Sequence, residues 1–411
     1  MLRKQFWAGV CGVLLVFGMV FGPMDGAIAF TDEQNLLLQA WRYVSQSYVD
    51  ETFNGQNWWV IRQKFLKRPL NTQEQAYEAV TEMLALLDDP YTRLLRPEQY
   101  RSLKVSTSGE LSGVGLQINI NPETDLLEVI VPLPGSPAEA AGIETKDQIL
   151  AIDGVDIRNI GLDEAAARMR GKKGTTVALT VKSAKTEAIR TVKVTRDTIA
   201  LNPVYAKLEE KNREKIGYIR LNQFSANATE EISKSLDQLQ RQGADRYILD
   251  LRNNPGGLLQ AGIEIARLWL DQETIVYTVN RQGIFESYGA TGHPLTDAPL
   301  VVLVNQATAS ASEILAGALQ DNGRALLIGE KTFGKGLIQS LFELPNGAGM
   351  AVTVAKYETP LHHDINKLGI LPDEVIPQDP IPYRMMATEA DLQYQAALEL
   401  LTQGQAIAKA A

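Results

Sequence analysis

The chain has few of the side chains that most often perform thiol, metal-dependent and histidine-based chemistry. Its 411 residues contain one cysteine and three histidines. Cys11 lies in an amino-terminal segment that we expect to be removed, so neither a disulfide nor a catalytic thiol is expected in the mature protein. There is no His-x-x-x-His pair. The sequence therefore predicts no metal site and no cofactor.

Positive charge is also scarce. The formal net charge is −9 and the isoelectric point is about 5.1, which argues against a nucleic-acid partner. A hydrophobic content of 45% and a charged content of 22% are typical of a soluble globular protein. The length of 411 residues indicates two to four domains. We find no internal repeat and no low-complexity tract.

The amino terminus has the pattern of a secretory signal peptide. Two cationic residues precede the apolar run from Phe6 to Phe21, and the small-residue sequence Ala27-Ile28-Ala29 follows it. This pattern predicts a signal peptide over residues 1–29 and a mature chain that begins at Phe30. The alternative is an uncleaved membrane anchor, but the run is short for a span, which needs about 20 residues.

Three regions follow in the mature chain. Residues 30–103 have helical periodicity and capping residues such as Thr31. Residues 104–198 contain short strands separated by turns. In residues 199–411 strands and helices alternate, which predicts a core with crossover connections. The sequence therefore predicts a multidomain α/β protein.

The most informative stretch begins with the apolar run Leu300 to Val304, which predicts a buried strand. Small residues including Ser310 and Ser312 follow, before a predicted helix that contains Glu313. A serine at such a corner can expose its hydroxyl beside the free N–H groups of the helix start. A second predicted strand then leads to a turn in which Lys335 lies between two glycines.

A serine hydroxyl needs a base to become a nucleophile. The three histidines, His293, His362 and His363, lie in predicted loops, so the candidate base is Lys335. Burial can lower the pKa of a lysine from about 10.4 towards neutrality. The alternative is a serine that only caps a helix and a lysine in a surface turn, and the local sequence leaves both interpretations open.

The segments TASASEILAGALQD and GEKTFGKGLIQ resemble the catalytic signature of the carboxyl-terminal processing peptidases. These are serine proteases with a Ser-Lys dyad. The resemblance implies Ser310, rather than Ser312, as the nucleophile and Lys335 as the base. It also implies that Gln339, expected one helical turn past the lysine, orients the lysine through a hydrogen bond.

The resemblance extends to an oxyanion hole in a crossover core of the ClpP/crotonase kind. It implies that Gly256, in an Asn-Pro-Gly-Gly turn, and Ala311 each donate a backbone N–H to the oxyanion. A simple β-α corner is the alternative for this turn. Glu313 has two possible roles: it orients a side chain near the site, or it complements the positive end of the helix.

Residues 104–198 resemble a PDZ domain of the circularly permuted kind found in exported proteases. Such a domain would bind the carboxyl terminus of a peptide, which adds as a strand to the sheet edge. The expected donors of N–H groups lie in the loop formed by Gly113, Val114, Gly115 and Leu116. Arg170, at the rim, would link the domain to the active site. The alternative is a structural domain without peptide preference.

Two more stretches, one from Asp89 to Glu98 and one reading FNGQNWWVIRQKFL, resemble the family, the second its members in oxygenic phototrophs. The resemblance implies an endopeptidase of the thylakoid lumen or periplasm that removes a carboxyl-terminal extension. The implied partner is a membrane-associated protein with a free carboxyl terminus, namely the photosystem II reaction-centre precursor. A general tail-specific protease, an inactive PDZ scaffold and an enolase- or isomerase-like enzyme are the alternatives. Where many members have a glycine-rich turn, this chain has His362-His363, for which no role is inferred.

Overall fold

A computed structural model describes residues 30–402, apart from residues 122, 123, 125, 159 and 284. The predicted signal peptide, residues 1–29, lies outside the described residues. Within the described part of the chain, no helix combines the length and the apolar character that crossing a membrane requires.

The amino-terminal region is helical, as predicted. A capping box begins the first helix, because Thr31 and Gln34 each accept a hydrogen bond from the other's backbone N–H. The apolar faces of the first three helices pack against Met350 and Val352, so this region lies on the last region of the chain. Its elements are α1 (Asp32–Ser47), α2 (Trp58–Leu66), α3 (Gln73–Ala85), β1 (Arg93–Leu95) and α4 (Pro97–Ser108).

The middle region is a small, mostly antiparallel module with one sheet in the order β3-β4-β5-β7-β8, and β6 pairs with β5. β2 and β9 pair with each other where the chain enters and leaves the module. A two-stranded ribbon therefore joins the module to the rest of the protein. The elements are β2 (Glu110–Gly113), β3 (Leu116–Ile120), β4 (Leu127–Pro132), α5 (Pro137–Ala140), β5 (Gln148–Ile152), β6 (Val155–Asp156), α6 (Leu162–Met169), β7 (Thr176–Lys182), β8 (Ile189–Thr195) and β9 (Asp197–Ala200).

The last region is the predicted α/β core. Two sheets form it, and helices cover both faces of the larger one. Its elements are β10 (Val204–Lys211), β11 (Glu214–Leu221), α7 (Ala228–Arg241), β12 (Arg246–Asp250), α8 (Leu259–Arg267), β13 (Thr274–Asn280), β14 (Phe285–Gly289), β15 (Leu300–Val304), α9 (Ala311–Asp321), β16 (Leu326–Gly329), β17 (Leu337–Glu343), β18 (Gly349–Glu358), β19 (Glu374–Val375) and α10 (Leu392–Thr402).

The larger sheet has the order β10-β11-β12-β15-β16-β19, and all of its pairings except β10 with β11 are parallel. Helices α7, α8 and α9 pack on one face and α10 packs on the other. All five residues of β15 have 0% exposure for this reason. A parallel strand covered on both faces reads as a continuous apolar run, and that run made this strand predictable from the sequence.

The smaller sheet contains β1, β18, β13 and β14, and β17 pairs with β18. The turn with Lys335 therefore connects β16, a strand of the larger sheet, to β17, which pairs with β18 of the smaller sheet. Gln339 lies in β17, at an irregular point of its pairing with β18. The predicted helical turn between Lys335 and Gln339 is wrong, because the chain is a strand paired with β18 from Leu337 onward.

Candidate active site

Ser310 lies at the corner between β15 and α9, where its backbone is strained. It is the N-cap of α9, with φ 58° and ψ −120°. A positive φ is uncommon for a residue other than glycine, and such strain costs about 1–3 kcal/mol. Strained strand-to-helix corners expose the hydroxyl of a nucleophilic serine in other hydrolases. The geometry at Ser310 has the features of such a corner.

Ser312, the rival candidate, lies on the other side of the corner. Its side chain is fully buried, and its hydroxyl donates to the carbonyl oxygen of Asn254 at 3.0 Å. It does not line the cavity that contains Ser310. The location of Ser312 therefore argues against a role as the nucleophile.

One cavity of about 410 Å³ brings the predicted catalytic residues together. Its walls include Ser310, Lys335, Gln339, Gly256 and Ala311. Within the ranges that the structure describes, no hydrogen bond joins Ser310 Oγ to Lys335 Nζ. Catalytic hydrogen bonds are often long before substrate binds. No group of three or more His, Cys, Asp or Glu residues in these ranges is placed to hold a metal ion.

The environment of Lys335 lowers the pKa of its amine. Burial lowers the pKa of its amine, and the nearby Arg93 guanidinium lowers it further, while Glu313 and Asp89 act in the opposite direction. The Nζ atom lies 5.0 Å from the centroid of the Tyr91 ring. Arg93 and Tyr91 both come from the amino-terminal region, so that region completes the surroundings of the candidate base.

Gln339 lines the cavity, but its amide faces a different partner from the predicted one. Gln339 Nε2 lies 3.5 Å from Thr353 Oγ1. The Thr353 hydroxyl donates in turn to Asp89 Oδ2 at 2.7 Å. A hydrogen bond from Gln339 to Lys335 remains a prediction, and in this conformation the amide is part of the network around Asp89.

Glu313 connects the two halves of the candidate dyad. Its fully buried carboxylate accepts hydrogen bonds from the N–H groups of Ser310 (2.9 Å), Gly334 (2.7 Å) and Lys335 (2.9 Å). It also accepts one from Thr332 Oγ1 at 2.6 Å. Glu313 therefore accepts a hydrogen bond at the start of α9 and also holds the backbone of the lysine turn. A role in orienting a side chain of the dyad remains a prediction.

The two candidate oxyanion donors, Ala311 N–H and Gly256 N–H, differ in their hydrogen bonding. Ala311 N–H, at the start of α9, has no hydrogen-bond partner in the described part of the chain. Gly256 N–H donates to Asn254 Oδ1 at 2.9 Å. Gly256 has φ +95°, and a Cβ there would lie 2.6 Å from Ala309 O, so the close approach requires glycine. Its use as the second donor remains a prediction and requires its peptide to turn away from Asn254.

A buried charge network lies directly before the Gly256 turn. Arg252 donates to Asp250 Oδ2 and to Asp391 Oδ2, both at 2.7 Å. Gln393 Oε1 accepts from the same guanidinium at 3.0 Å. The network joins the end of β12 to the segment that begins α10. Our sequence analysis missed it, because nothing in the local sequence links Arg252 to residues about 140 positions away.

The expected carboxylate-binding loop lies in the middle module. The carbonyls of Val114 and Gly115 accept from Ala138 and Leu133 within the module. The N–H groups of Val114 and Gly115 have no hydrogen-bond partner in the described ranges. Gly113 and Leu116 lie in the adjacent strands β2 and β3.

Arg170 lies next to this loop. Its Cα is 3.5 Å from where a side chain on Gly113 would begin. Neither Arg170 nor the Gly113–Leu116 loop lines the Ser310 cavity. In this conformation the two candidate sites are therefore separate, and a link through Arg170 remains a prediction.

Two regions of the chain match known protein families. Residues 215–376 match peptidase family S41, and residues 102–182 match the PDZ domain. A carboxyl-terminal-processing protease of Picosynechococcus sp. is 85% identical over 100% of this chain and 99% of its own length. The chain belongs to the carboxyl-terminal-processing proteases of peptidase family S41. This S41 protease is a serine-type peptidase with an α/β fold and a PDZ domain.

Other relatives extend the likeness to plants and to a solved structure. The carboxyl-terminal-processing protease of Synechocystis sp. is 65% identical over 98% of this chain and 95% of its own length. Carboxyl-terminal-processing peptidase 2, chloroplastic, of Arabidopsis thaliana is 44% identical over 90% of this chain and 74% of its own length. The structure of a photosystem II D1 C-terminal processing protease is 40% identical, with a TM-score of 0.53, over 86% of this chain and 95% of that one.

Proposed function

We propose that this S41 protease is exported to the thylakoid lumen or periplasm and removes the carboxyl-terminal extension of the photosystem II D1 precursor. The likeness to cyanobacterial carboxyl-terminal-processing proteases and to a D1-processing protease of known structure supports this substrate. The signal-peptide pattern in residues 1–29 supports export. The observation that carries the proposal is a single cavity that contains Ser310 and a half-buried lysine of lowered pKa.

The proposed reaction is acyl transfer through Ser310. The neutral amine of Lys335 takes the proton of the Ser310 hydroxyl as Oγ attacks the scissile carbonyl. Ala311 N–H, and Gly256 N–H once it is free of Asn254, stabilise the oxyanion. Lys335 then gives its proton to the leaving amine, and the acyl-enzyme forms. A water molecule, deprotonated by Lys335, hydrolyses the ester and restores Ser310.

The direct test is cleavage of a synthetic peptide that spans the processing region of the D1 precursor. We expect the purified wild-type protein to cut one peptide bond, identified by mass spectrometry. The Ser310→Ala variant should bind the peptide but not cut it, because the nucleophile is missing. Cleavage by Ser310→Ala at the wild-type rate would contradict the proposed nucleophile. Cutting of unrelated peptides at equal rates would contradict the proposed substrate and favour a general tail-specific protease.

The PDZ domain gives a prediction about how the substrate is recognised. The free N–H groups of Val114 and Gly115 support binding of a terminal carboxylate, and charge-assisted hydrogen bonds are roughly twice as strong as neutral ones. Amidation of the substrate carboxyl terminus should therefore lower kcat/KM by about 10-fold, which corresponds to a loss of about 1.4 kcal/mol. The measurement compares matched free-acid and amidated peptides.

Binding to the inactive Ser310→Ala protein provides the control. The same two peptides, labelled with a fluorophore, should differ in Kd in the same direction as in kcat/KM. Equal affinity and equal cleavage of the two peptides would show that the module does not read the carboxylate and has a structural role.

A further inference from the structure

Tyr357, on β18, contacts the backbone of both residues of the proposed dyad. Its hydroxyl lies 3.1 Å from the carbonyl oxygen of Ser310 and also donates to the carbonyl oxygen of Lys335. The side chain is 1% exposed, and the tyrosine lines the active-site cavity. Nothing in the local sequence singles out this residue. Its hydroxyl therefore lies between the backbone carbonyls of the two residues of the dyad.

The lysine turn needs such contacts because its own sequence is flexible. Lys335 lies between Gly334, which has φ +89°, and Gly336, and glycine has the widest range of backbone conformations. In the described ranges, the hydroxyl of Tyr357 is the only hydrogen-bond partner of the Lys335 carbonyl. The Lys335 N–H is held by Glu313. The position of the amine thus depends on one contact at each side of the lysine backbone.

Ser310 contacts the same two side chains, but its carbonyl has further partners. Its N–H donates to Glu313 Oε2, and its carbonyl lies 3.1 Å from the Tyr357 hydroxyl and accepts from the N–H groups of Glu313 (2.8 Å) and Ile314 (3.0 Å). Glu313 belongs to helix α9, on the larger sheet, and Tyr357 belongs to strand β18 of the smaller sheet. Burial and the neighbouring Glu313 and Tyr91 raise the pKa of Tyr357 well above its ordinary value, so the hydroxyl remains a donor.

We propose that Tyr357 is a positioning residue, whose hydroxyl donates its one hydrogen to the Lys335 carbonyl beside the Ser310 carbonyl, while Glu313 accepts from the N–H groups of both residues. The proposal rests on the dyad of the proposed function but not on the D1 substrate. Tyr357 does not touch the reacting atoms. It determines how far Lys335 Nζ can move from Ser310 Oγ, and therefore how often the pair is ready for proton transfer.

Tyr357→Phe tests the proposal, because phenylalanine keeps the ring and removes only the hydroxyl. We expect kcat to fall by about 10- to 100-fold, since a displacement of about 1 Å in a catalytic group has effects of this size. KM should change by less than roughly two-fold, because the loss concerns the transition state. The apparent pKa of the kcat/KM profile should rise, because a looser lysine turn is better hydrated. Hydrolysis of β-casein, an unfolded protein, gives the same comparison if the D1 peptide is not a substrate.

Tyr247→Phe is the matched control. Tyr247 is also 1% exposed and donates its hydroxyl to a backbone carbonyl, that of Ala244 at 3.3 Å, but it lies outside the active-site cavity. This variant should lose a similar hydrogen bond and keep the wild-type kcat and pH profile. Replacement of Tyr357 by 4-aminophenylalanine, which retains a donor, should restore much of the lost kcat.

Activity is measured at a temperature at which the near-ultraviolet circular dichroism of each variant matches that of the wild type. A loss of kcat at that temperature is then not caused by unfolding. An unchanged kcat and pH profile in Tyr357→Phe would overturn the proposal. Equal losses of kcat in the Tyr357 and Tyr247 variants would also overturn it. A Tyr357→Phe protein that does not fold at any temperature would do the same, because the hydroxyl would then be a purely structural group.

Discussion

Replacing Lys335 with methionine should abolish peptide hydrolysis and leave the protein folded. Methionine has a similar length and suits a largely buried position, but its thioether cannot take the serine proton. We expect kcat to fall by about 10⁴- to 10⁶-fold, the range for removing a member of a catalytic unit. Lys335→Arg should also fail, because the guanidinium stays protonated. Steady-state turnover of the D1 precursor peptide measures both effects.

Lys331→Met provides the control, because Lys331 is an exposed lysine just before the same turn. It should retain the wild-type kcat. Substantial turnover by folded Lys335→Met would exclude Lys335 as the base. Loss of activity in both variants would indicate that the turn does not tolerate methionine. The pH dependence of wild-type activity would then be the test of Lys335 as the base.

The lowered pKa of Lys335 has a second consequence, for the pH dependence of activity and stability. Activity should rise with pH through an apparent pKa below that of free lysine, about 10.4. Between the lowered folded value and the ordinary value, the unfolded chain binds more protons, so the free energy of unfolding rises with pH there. At neutral pH, Lys335→Met should therefore be more stable than the wild type, as chemical denaturation would measure.

The sequence was sufficient to predict the structural elements that depend only on interactions between neighbouring residues. The apolar run of β15, the capping box of α1 and the strand-to-helix corner at Ser310 each depend on a few adjacent residues. The resemblance to a known family then singled out Lys335, 25 residues further along the chain, which no local rule connects to Ser310. The cavity contains both residues.

The contacts that complete the site could not be predicted, because residues distant in the sequence make them. Tyr357 is 47 positions from Ser310, and Asp391 is 139 from Arg252. Neither pair belongs to a periodic pattern. The error at Gln339 has the same origin: a spacing of four residues suits a helix, but pairing with β18 places the segment in a strand. Tertiary pairing outweighed the local pattern at this position.

The second large effect is expected at Glu313. Its Oε1 accepts from Thr332 Oγ1 and Gly334 N–H, and its Oε2 accepts from Ser310 N–H and Lys335 N–H. In Glu313→Gln, the less costly orientation of the amide directs its NH₂ group at Gly334 N–H and at Thr332 Oγ1, whose hydroxyl can rotate and accept. At least one buried N–H then loses its acceptor, at about 1–3 kcal/mol. We expect the free energy of unfolding to fall by at least this amount.

The effect of Glu313→Gln on catalysis should be larger than its effect on substrate binding. The substitution leaves either Gly334 N–H, next to the lysine, or the N–H groups of Ser310 and Lys335 without an acceptor. We therefore expect kcat to fall by about 10²-fold or more with little change in KM. Glu330→Gln is the control, since the Glu330 side chain accepts a single hydrogen bond among the described residues, from Gln306 Nε2, near the same turn. Denaturant unfolding and steady-state kinetics are measured on the same samples. A destabilised Glu313→Gln protein with wild-type kcat would restrict Glu313 to stabilising the fold, because an alignment role requires both quantities to fall.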